Sequence, residues 1–291
     1  MGAFPYADLP QSFGFINLFG ILIAAGVLLG TWLARKYCER NGLDQDTLQY
    51  FGLRLIIWGF IGAHVFNTIF YDLHAFIEDP WATTKKLGIS SYGAALSGTI
   101  AFFYYAWKLK LEKRRWGDMA AWGAAGGWLF GRLGCALVHD HVGFKTDSPF
   151  GVDFPPMKYP WDKSDEVIRA HDLGLYEFLL WIALLVMVVL LERWKGRKPG
   201  FLMGMLALVY SVPRFFFEFL RPEVTDPRYA GLTFAQWASI AAFLTGAYLI
   251  FGKVKARAEA VDESDEPEPA PAPARKPAPV AAKKKKKGKK K

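Results

Sequence analysis

Seven stretches of the chain are apolar for long enough to cross a bilayer, near 15–35, 51–71, 92–109, 119–137, 174–192, 200–220 and 232–252. A helical span takes roughly 20 predominantly apolar residues. The runs therefore predict an all-α integral membrane protein of about seven transmembrane helices. The third and fourth are the weakest, one short and one rich in glycine. No Lys or Arg precedes Arg35. The first run thus lacks the basic stretch of a secretory signal peptide and reads as a retained anchor.

Orientation follows from where the basic residues fall. "RKYCER", "KLKLEKRR", "ERWKGRK" and the C-terminal lysines follow the first, third, fifth and seventh runs. The positive-inside rule then puts the N-terminus outside and the C-terminus in the cytoplasm. Formal charge is +9 over 291 residues, but the segment 253–291 holds 13 Lys/Arg against 6 Asp/Glu. The rest, with 23 basic and 21 acidic residues, is close to neutral. Residues 1–252 read as one membrane domain, and 253–291 as a disordered Pro/Ala/Lys-rich cytoplasmic tail that cannot bury enough surface to offset its ordering entropy. Its lysines favour anionic lipid headgroups; no nucleic-acid partner is expected. The two cysteines, Cys38 and Cys135, make no disulfide framework.

A charge inside a membrane costs about 2.5–3.5 kcal/mol on insertion scales, so each one needs a reason. In this topology Tyr92, Arg132, Tyr176, Glu177, Arg214, Glu218 and Arg221 gather near the outer ends of four spans. Arg214, Glu218 and Arg221 share one helical face. Structural bracing and interfacial anchoring explain such residues as well as function does. Gly123, Gly127 and Gly131, four apart, equally read as a stripe for close helix packing. Arginines among glycines at one leaflet also suit the phosphate of an anionic lipid.

With those residues in place, the chain resembles the prolipoprotein diacylglyceryl transferase family from about residue 12 to 250. "GRLGCALVHDHVG" (131–143) aligns with the family's G-R-x-G-N-F-x-N-x-E-x-x-G, and "HDLGLYE" (171–177) with H-P-S-Q-L-Y-E. "PRFFFEFLRPE" (213–223) is similar to G-R-F-x-x-E-x-x-R, and "TDSPFGVDFP" (146–155) to the loop after the signature. The resemblance implies a bacterial inner-membrane enzyme whose active site faces the outer leaflet. Such an enzyme moves diacylglycerol from phosphatidylglycerol to the lipobox cysteine of a prolipoprotein signal peptide. It implies no metal and no organic cofactor. Carried over by position, Arg132, Arg214 and Glu218 form the catalytic polar site. Gly134, Gly143, Arg221 and Tyr176 join Arg132 in binding substrate, and Asp118 also matches.

The departures are specific. Tyr92-Gly93-Ala94 stands where the family has H-G-G. Cys135, Val138 and Asp140 replace two asparagines and a glutamate, and Phe19 replaces a tyrosine. A phenol with a pKa of about 10 is a poor base for a thiol near 8.5, though a serviceable hydrogen-bond donor. His141 is the preferred replacement base, with Asp140 to orient it and Tyr92 to donate to a phosphate oxygen. His139 is the lesser candidate, and two histidines two residues apart do not read as a metal pair. Two rivals stay open: a paralogue that binds anionic phospholipid without transfer or with another acceptor, and a transporter or scaffold with structural arginines.

Overall fold

Helix starts are written locally in this chain. Asn17 accepts a hydrogen bond from Phe19 N at 2.7 Å and opens α1 (Leu18–Asn41), which stops at Gly42 with φ 65°. Asp44 accepts from Thr47 N at 2.6 Å and opens α2 (Gln45–Phe70). Such caps satisfy backbone donors that have no partner inside the helix. The structure is a computed structural model and describes residues 4–10, 12, 13, 16–85, 88–223, 225, 226 and 228–252. The tail expected at 253–291 lies outside the described residues.

Two short helices, α3 (Leu73–Glu78) and α4 (Pro80–Lys85), precede α5 (Ser91–Lys108) and α6 (Lys113–Val138). Then follow α7 (Leu173–Glu192), α8 (Phe201–Phe217), which continues through a 3₁₀ turn at Glu218–Leu220, and α9 (Phe234–Phe251). Among the described residues, five helices are long and apolar enough to cross a membrane: α1, α2, α7, α8 with its 3₁₀ extension, and α9. The third and fourth predicted spans, α5 and α6, fall outside that set.

The position of α6 explains its low apolarity. It packs against α1, α7 and α8, so its polar groups meet protein. Along α1 the two backbones nearly touch. A Cβ on Gly26 would lie 2.7 Å from Gly127 O, and one on Gly30 would lie 2.6 Å from Gly123 O. The glycine stripe is thus a packing seam, as small residues allow between membrane helices. At one end of the bundle Phe51, Phe102 and Trp116 fill the core, the Phe51 ring centroid lying 5.5 Å from each of the other two.

The segment between α6 and α7 corrects a purely helical reading. It forms most of a four-stranded sheet in the order β1-β5-β6-β4. Its strands are β1 (Phe4–Pro5), β4 (Val142–Lys145), β5 (Val152–Phe154) and β6 (Ile168–Asp172). In β6, Ile168, Ala170 and Asp172 are buried while Arg169 and His171 are only partly so, a strand's alternation. Two-residue strands make the small pairs β2 (Ser12–Phe13) with β3 (Ile16–Asn17), and β7 (Arg228–Tyr229) with β8 (Leu232–Thr233).

Candidate active site

The start of α7 lies hard against the end of α6. Only a glycine permits this: a Cβ on Gly174 would sit 2.8 Å from Ala136 N. Three residues later Glu177 therefore stands beside Arg132, its Oε2 3.1 Å from Arg132 Nε. Its other oxygen, Oε1, lies 3.5 Å from Arg214 Nε on α8. Tyr210, one turn before Arg214, donates to Glu177 Oε2 at 2.9 Å. One buried carboxylate thus bridges two buried guanidinium groups.

The chain of contacts runs on in both directions. Arg214 donates through Nη1 to Glu218 Oε2 at 2.5 Å and through Nη2 to Tyr92 Oη at 2.7 Å. Arg221 donates to Glu218 Oε1 at 3.3 Å and pairs with Asp226 Oδ2 at 2.7 Å, while Tyr71 donates to Asp226 Oδ1 at 3.1 Å. At the other end, Arg132 Nη1 lies 3.5 Å from His141 Nε2 and 3.9 Å from Cys135 Sγ. His141 Nδ1 in turn meets Asp140 Oδ1. An arginine only donates, so Nε2 is the accepting nitrogen and Nδ1–H faces the carboxylate. Arg132, Arg214, Glu177 and Glu218 are each at most 5% exposed. Three arginines face three carboxylates here, so the buried charges balance before any ligand enters.

The arrangement has the parts of a phosphate site with an adjoining base. Guanidinium groups hold anionic oxygens by directed, charge-assisted hydrogen bonds. Arg221 Nε is buried and has no hydrogen-bond partner. The Tyr92 hydroxyl, which accepts from Arg214, keeps its own proton to give.

A family model described as prolipoprotein diacylglyceryl transferase matches residues 11–252. The chain belongs to the prolipoprotein diacylglyceryl transferase family. It is similar to a phosphatidylglycerol–prolipoprotein diacylglyceryl transferase of Thermosynechococcus vestitus, at 28% identity over 86% of this chain and 94% of the relative. An enzyme of the same name numbered 2, from Clostridium perfringens, is 29% identical over 86% of this chain and 97% of the relative. One from Solidesulfovibrio magneticus is 29% identical over 86% and 92%. Membership in this bacterial family and the five long apolar helices make it a multi-pass membrane protein.

Against that family frame, Tyr92, Arg132, Asp140, His141, Arg214, Glu218 and Arg221 form one connected group. The two signature glycines both stand in close contact with protein. A Cβ on Gly134 would lie 2.8 Å from the Phe19 ring, and one on Gly143 would run into Leu220 O. Both positions are filled by protein. The Tyr176 hydroxyl donates to Phe150 O at 3.1 Å and accepts from His171 Nδ1 at 2.9 Å. These residues line a cleft of about 350 Å³ with Phe4, Ser148 and Leu179. Asp118, which also matches the transferase pattern, caps α8 by accepting from Gly200 N at 2.8 Å and Met203 N at 3.0 Å.

The two histidines of "HDH" separate completely. His139 ends α6 in the left-handed region, φ 51°, and its side chain is turned inward. Its Nδ1 lies 2.5 Å from Asp172 Oδ2, and its ring stacks on Tyr6 at 4.2 Å. His139 is thus a largely enclosed, paired residue turned away from Arg132. His141, past the turn, faces Arg132. Cys135 Sγ, an Asp140 oxygen and a His141 nitrogen lie within 4.8 Å of one another, a set that could hold a metal ion.

Sequence reasoning missed the centre of the network. Glu177 was placed near the outer surface but not in the site. It is the one acidic residue of α7 before Glu192, in an otherwise apolar run, and that isolation was the available signal. Tyr210 could have been found at i−4 from Arg214. Nothing local marks Asp226 or Tyr71, which meet across 155 residues.

Proposed function

We propose that this chain transfers diacylglycerol from phosphatidylglycerol to the cysteine thiol of a prolipoprotein lipobox. The observation that carries the reading is the pair Arg132 and Arg214, bridged by Glu177, with the His141–Asp140 pair at the Arg132 end. The relatives' names and the family match support the same chemistry.

In this mechanism the headgroup phosphate sits at Arg132 and Arg214, and Tyr92 donates to one of its oxygens. His141 Nε2 takes the thiol proton of the acceptor, and Asp140 at Nδ1 fixes the tautomer and stabilises the imidazolium. The thiolate sulfur attacks the glyceryl carbon that bears the phosphate. A carbon–sulfur bond forms as the carbon–oxygen bond breaks, and glycerol phosphate leaves with the electron pair. Negative charge grows on the phosphate oxygen, where fixed cations lower the barrier most. Glu218 and Arg221 hold Arg214 in place, with Arg221 Nε free to meet the lipid. Gly134 and Gly143 act by letting Phe19 and Leu220 approach, and Tyr176 by shaping the cleft beside the site.

The same reading takes α5 and α6 as the third and fourth of seven spans, with the N-terminus outside and the site opening to the outer leaflet of the inner membrane. Residues 1–252 form the catalytic membrane domain, and 253–291 a cytoplasmic tail attracted to anionic headgroups. The test is the purified chain in phosphatidylglycerol vesicles with a lipobox peptide. Peptide gaining one diacylglyceryl group per glycerol phosphate released supports the assignment. Lipid binding with neither product would replace it with the non-transferring paralogue.

A further inference from the structure

The segment between α2 and α5 carries three large apolar side chains that the described residues leave open. Ile77 on α3 and Trp81 on α4 are 72% and 70% exposed, and Leu73 at the start of α3 is 48% exposed. We infer that α3 and α4 are seated in the bilayer, with their apolar side lying in the lipid interface at the site end of the bundle. The seat holds whether or not the chain transfers diacylglycerol.

The two sides of α3 differ. At about 100° per residue, Leu73, Phe76 and Ile77 fall on one apolar arc, and His74 and Glu78 fall on the arc beside it. On that polar side His74 Nδ1 lies 3.4 Å from Glu78 Oε1. The orientation of α4 is set by its opposite face. Thr83 is buried, so Trp81, two residues before it, points away from the body. Asp79 starts the helix, accepting from Ala82 N at 2.9 Å through Oδ1 and from Thr83 N at 3.1 Å through its carbonyl. Lys85 Nζ lies 4.9 Å from the Trp81 ring centroid. An indole with an ammonium beside it suits the headgroup level, where Trp keeps its apolar body in lipid and Lys reaches water.

The height of the segment is fixed by α2, itself long and apolar enough to cross a membrane. Its last two residues, Ile69 and Phe70, are exposed apolar side chains, and Leu73 continues that surface three residues later. Asp72, the one acid between them, is turned back, its Oδ2 accepting from Asn67 Nδ2 at 2.6 Å. At the far end of the segment Ser90 N donates to Ala63 O at 3.0 Å, and Gly88 O lies 3.0 Å from His64 Nδ1. Both ends are thus pinned to the last turns of α2, at the level where that helix leaves the lipid. Helices this short do not hold themselves by hydrogen bonding alone. An apolar face laid into the interface stabilises them, and removes from water the side chains that protein leaves bare.

A nitroxide at position 77 reads the seat directly. Cys38 and Cys135 are buried, so the unsubstituted chain should take up little label and serves as the blank. In vesicles of phosphatidylethanolamine and phosphatidylglycerol, labelled Ile77→Cys should collide several-fold more with oxygen than with a water-soluble nickel chelate. Its depth should be about 5–10 Å into the headgroup and acyl boundary. Labelled His74→Cys should show the reverse preference. Nickel access at 77 equal to that at 74 would overturn the seat. Shielding of position 77 from both reagents would overturn it too, because protein and not lipid would then cover the face. A second variant guards against misfolding. Ile77→Asp with Trp81→Ser should leave the unfolding midpoint in detergent unchanged, since both side chains are exposed, yet bring a label at Leu73→Cys out to nickel. Protection of that label undiminished by the two changes would refute seating by the apolar side. None of these signals needs turnover, so the seat and the transferase reading fail separately.

Discussion

Arg132 Nε lies 3.1 Å from Glu177 Oε2, with both side chains withdrawn from solvent. Removing two charges from water is costly, and a well-packed apolar pair of the same volume is often at least as stable. The pair is therefore better explained by what it does than by what it holds. Glu177 holds two arginines oriented and close together, as the proposed phosphate site requires.

Glu177→Gln preserves size and the Tyr210 contact but removes the charge that Arg132 and Arg214 share. Breaking a buried pair from one side costs about 3–5 kcal/mol. Thermal unfolding in detergent should show a lowered midpoint, and glycerol phosphate release should be lost. A variant as stable and active as wild type would remove Glu177 from the centre of the site.

Arg132→Lys keeps one positive charge but cannot reach Glu177 through Nε and His141 through Nη1 together. An interfacial anchor would tolerate the change; a directed phosphate site would not. The expected result is normal expression with turnover down on the order of 100-fold, about 2.7 kcal/mol of transition-state stabilisation. Wild-type turnover would favour the anchor.

His141→Gln should abolish transfer to a lipobox peptide while phosphatidylglycerol binding, measured separately, stays within a few-fold of wild type. Asp140→Asn should lower kcat with little change in KM, since it acts through the imidazole. His139→Gln should instead lower the unfolding temperature, because Asp172 would lose its buried partner while still capping α7 at Leu175 N. Full activity of His141→Gln would dismiss it as the base.

Much of this network was legible in the sequence because membranes penalise polar residues individually. Tyr92, Arg132, Arg214, Glu218 and Arg221 stood out against apolar runs, and span direction brought them to one end. The sheet was harder to read. Its β6 strand is only five residues long, and β1 pairs with β5 across the whole stretch from α1 to α6. The fates of His139 and His141 turned on one left-handed residue at the end of α6, which no helical spacing anticipates. Whether a signature glycine meets lipid or protein depends on the neighbour: for Gly134 it is Phe19, more than 100 residues away.

A reporter active only outside the cytoplasm should be active when fused after residue 160 and silent after residue 197. Residue 160 follows α6 and residue 197 follows α7, so the pair tests the direction of the helix that carries Glu177. The opposite pattern would turn the site to the inner leaflet.

Acid should loosen the sheet beside the site through His171. Burial holds this imidazole below its ordinary value of 6.5, and the neutral ring donates from Nδ1 to Tyr176. A lowered folded-state pKa means the unfolded chain binds more protons, so stability rises with pH across the window. The contribution is complete above 6.5 and fades as pH falls through the lower folded value. His171→Asn should flatten the slope of unfolding midpoint against pH just below 6.5. An unchanged slope would assign acid sensitivity elsewhere.

Asp118 holds the first turn of α8 from its own place on α6, and the two arginines lie far along those same helices. Fourteen residues separate Asp118 from Arg132 and eleven separate Met203 from Arg214, distances of about 21 and 16 Å at 1.5 Å per residue. The carboxylate is thus the zero mark from which both arginines are measured. A change there slides one helix along the other and spoils the spacing of the guanidinium pair without touching either. Genetic screens for loss of transfer should therefore return Asp118 beside the arginines, a surveying error at one end of the bundle reported as a chemical fault at the other.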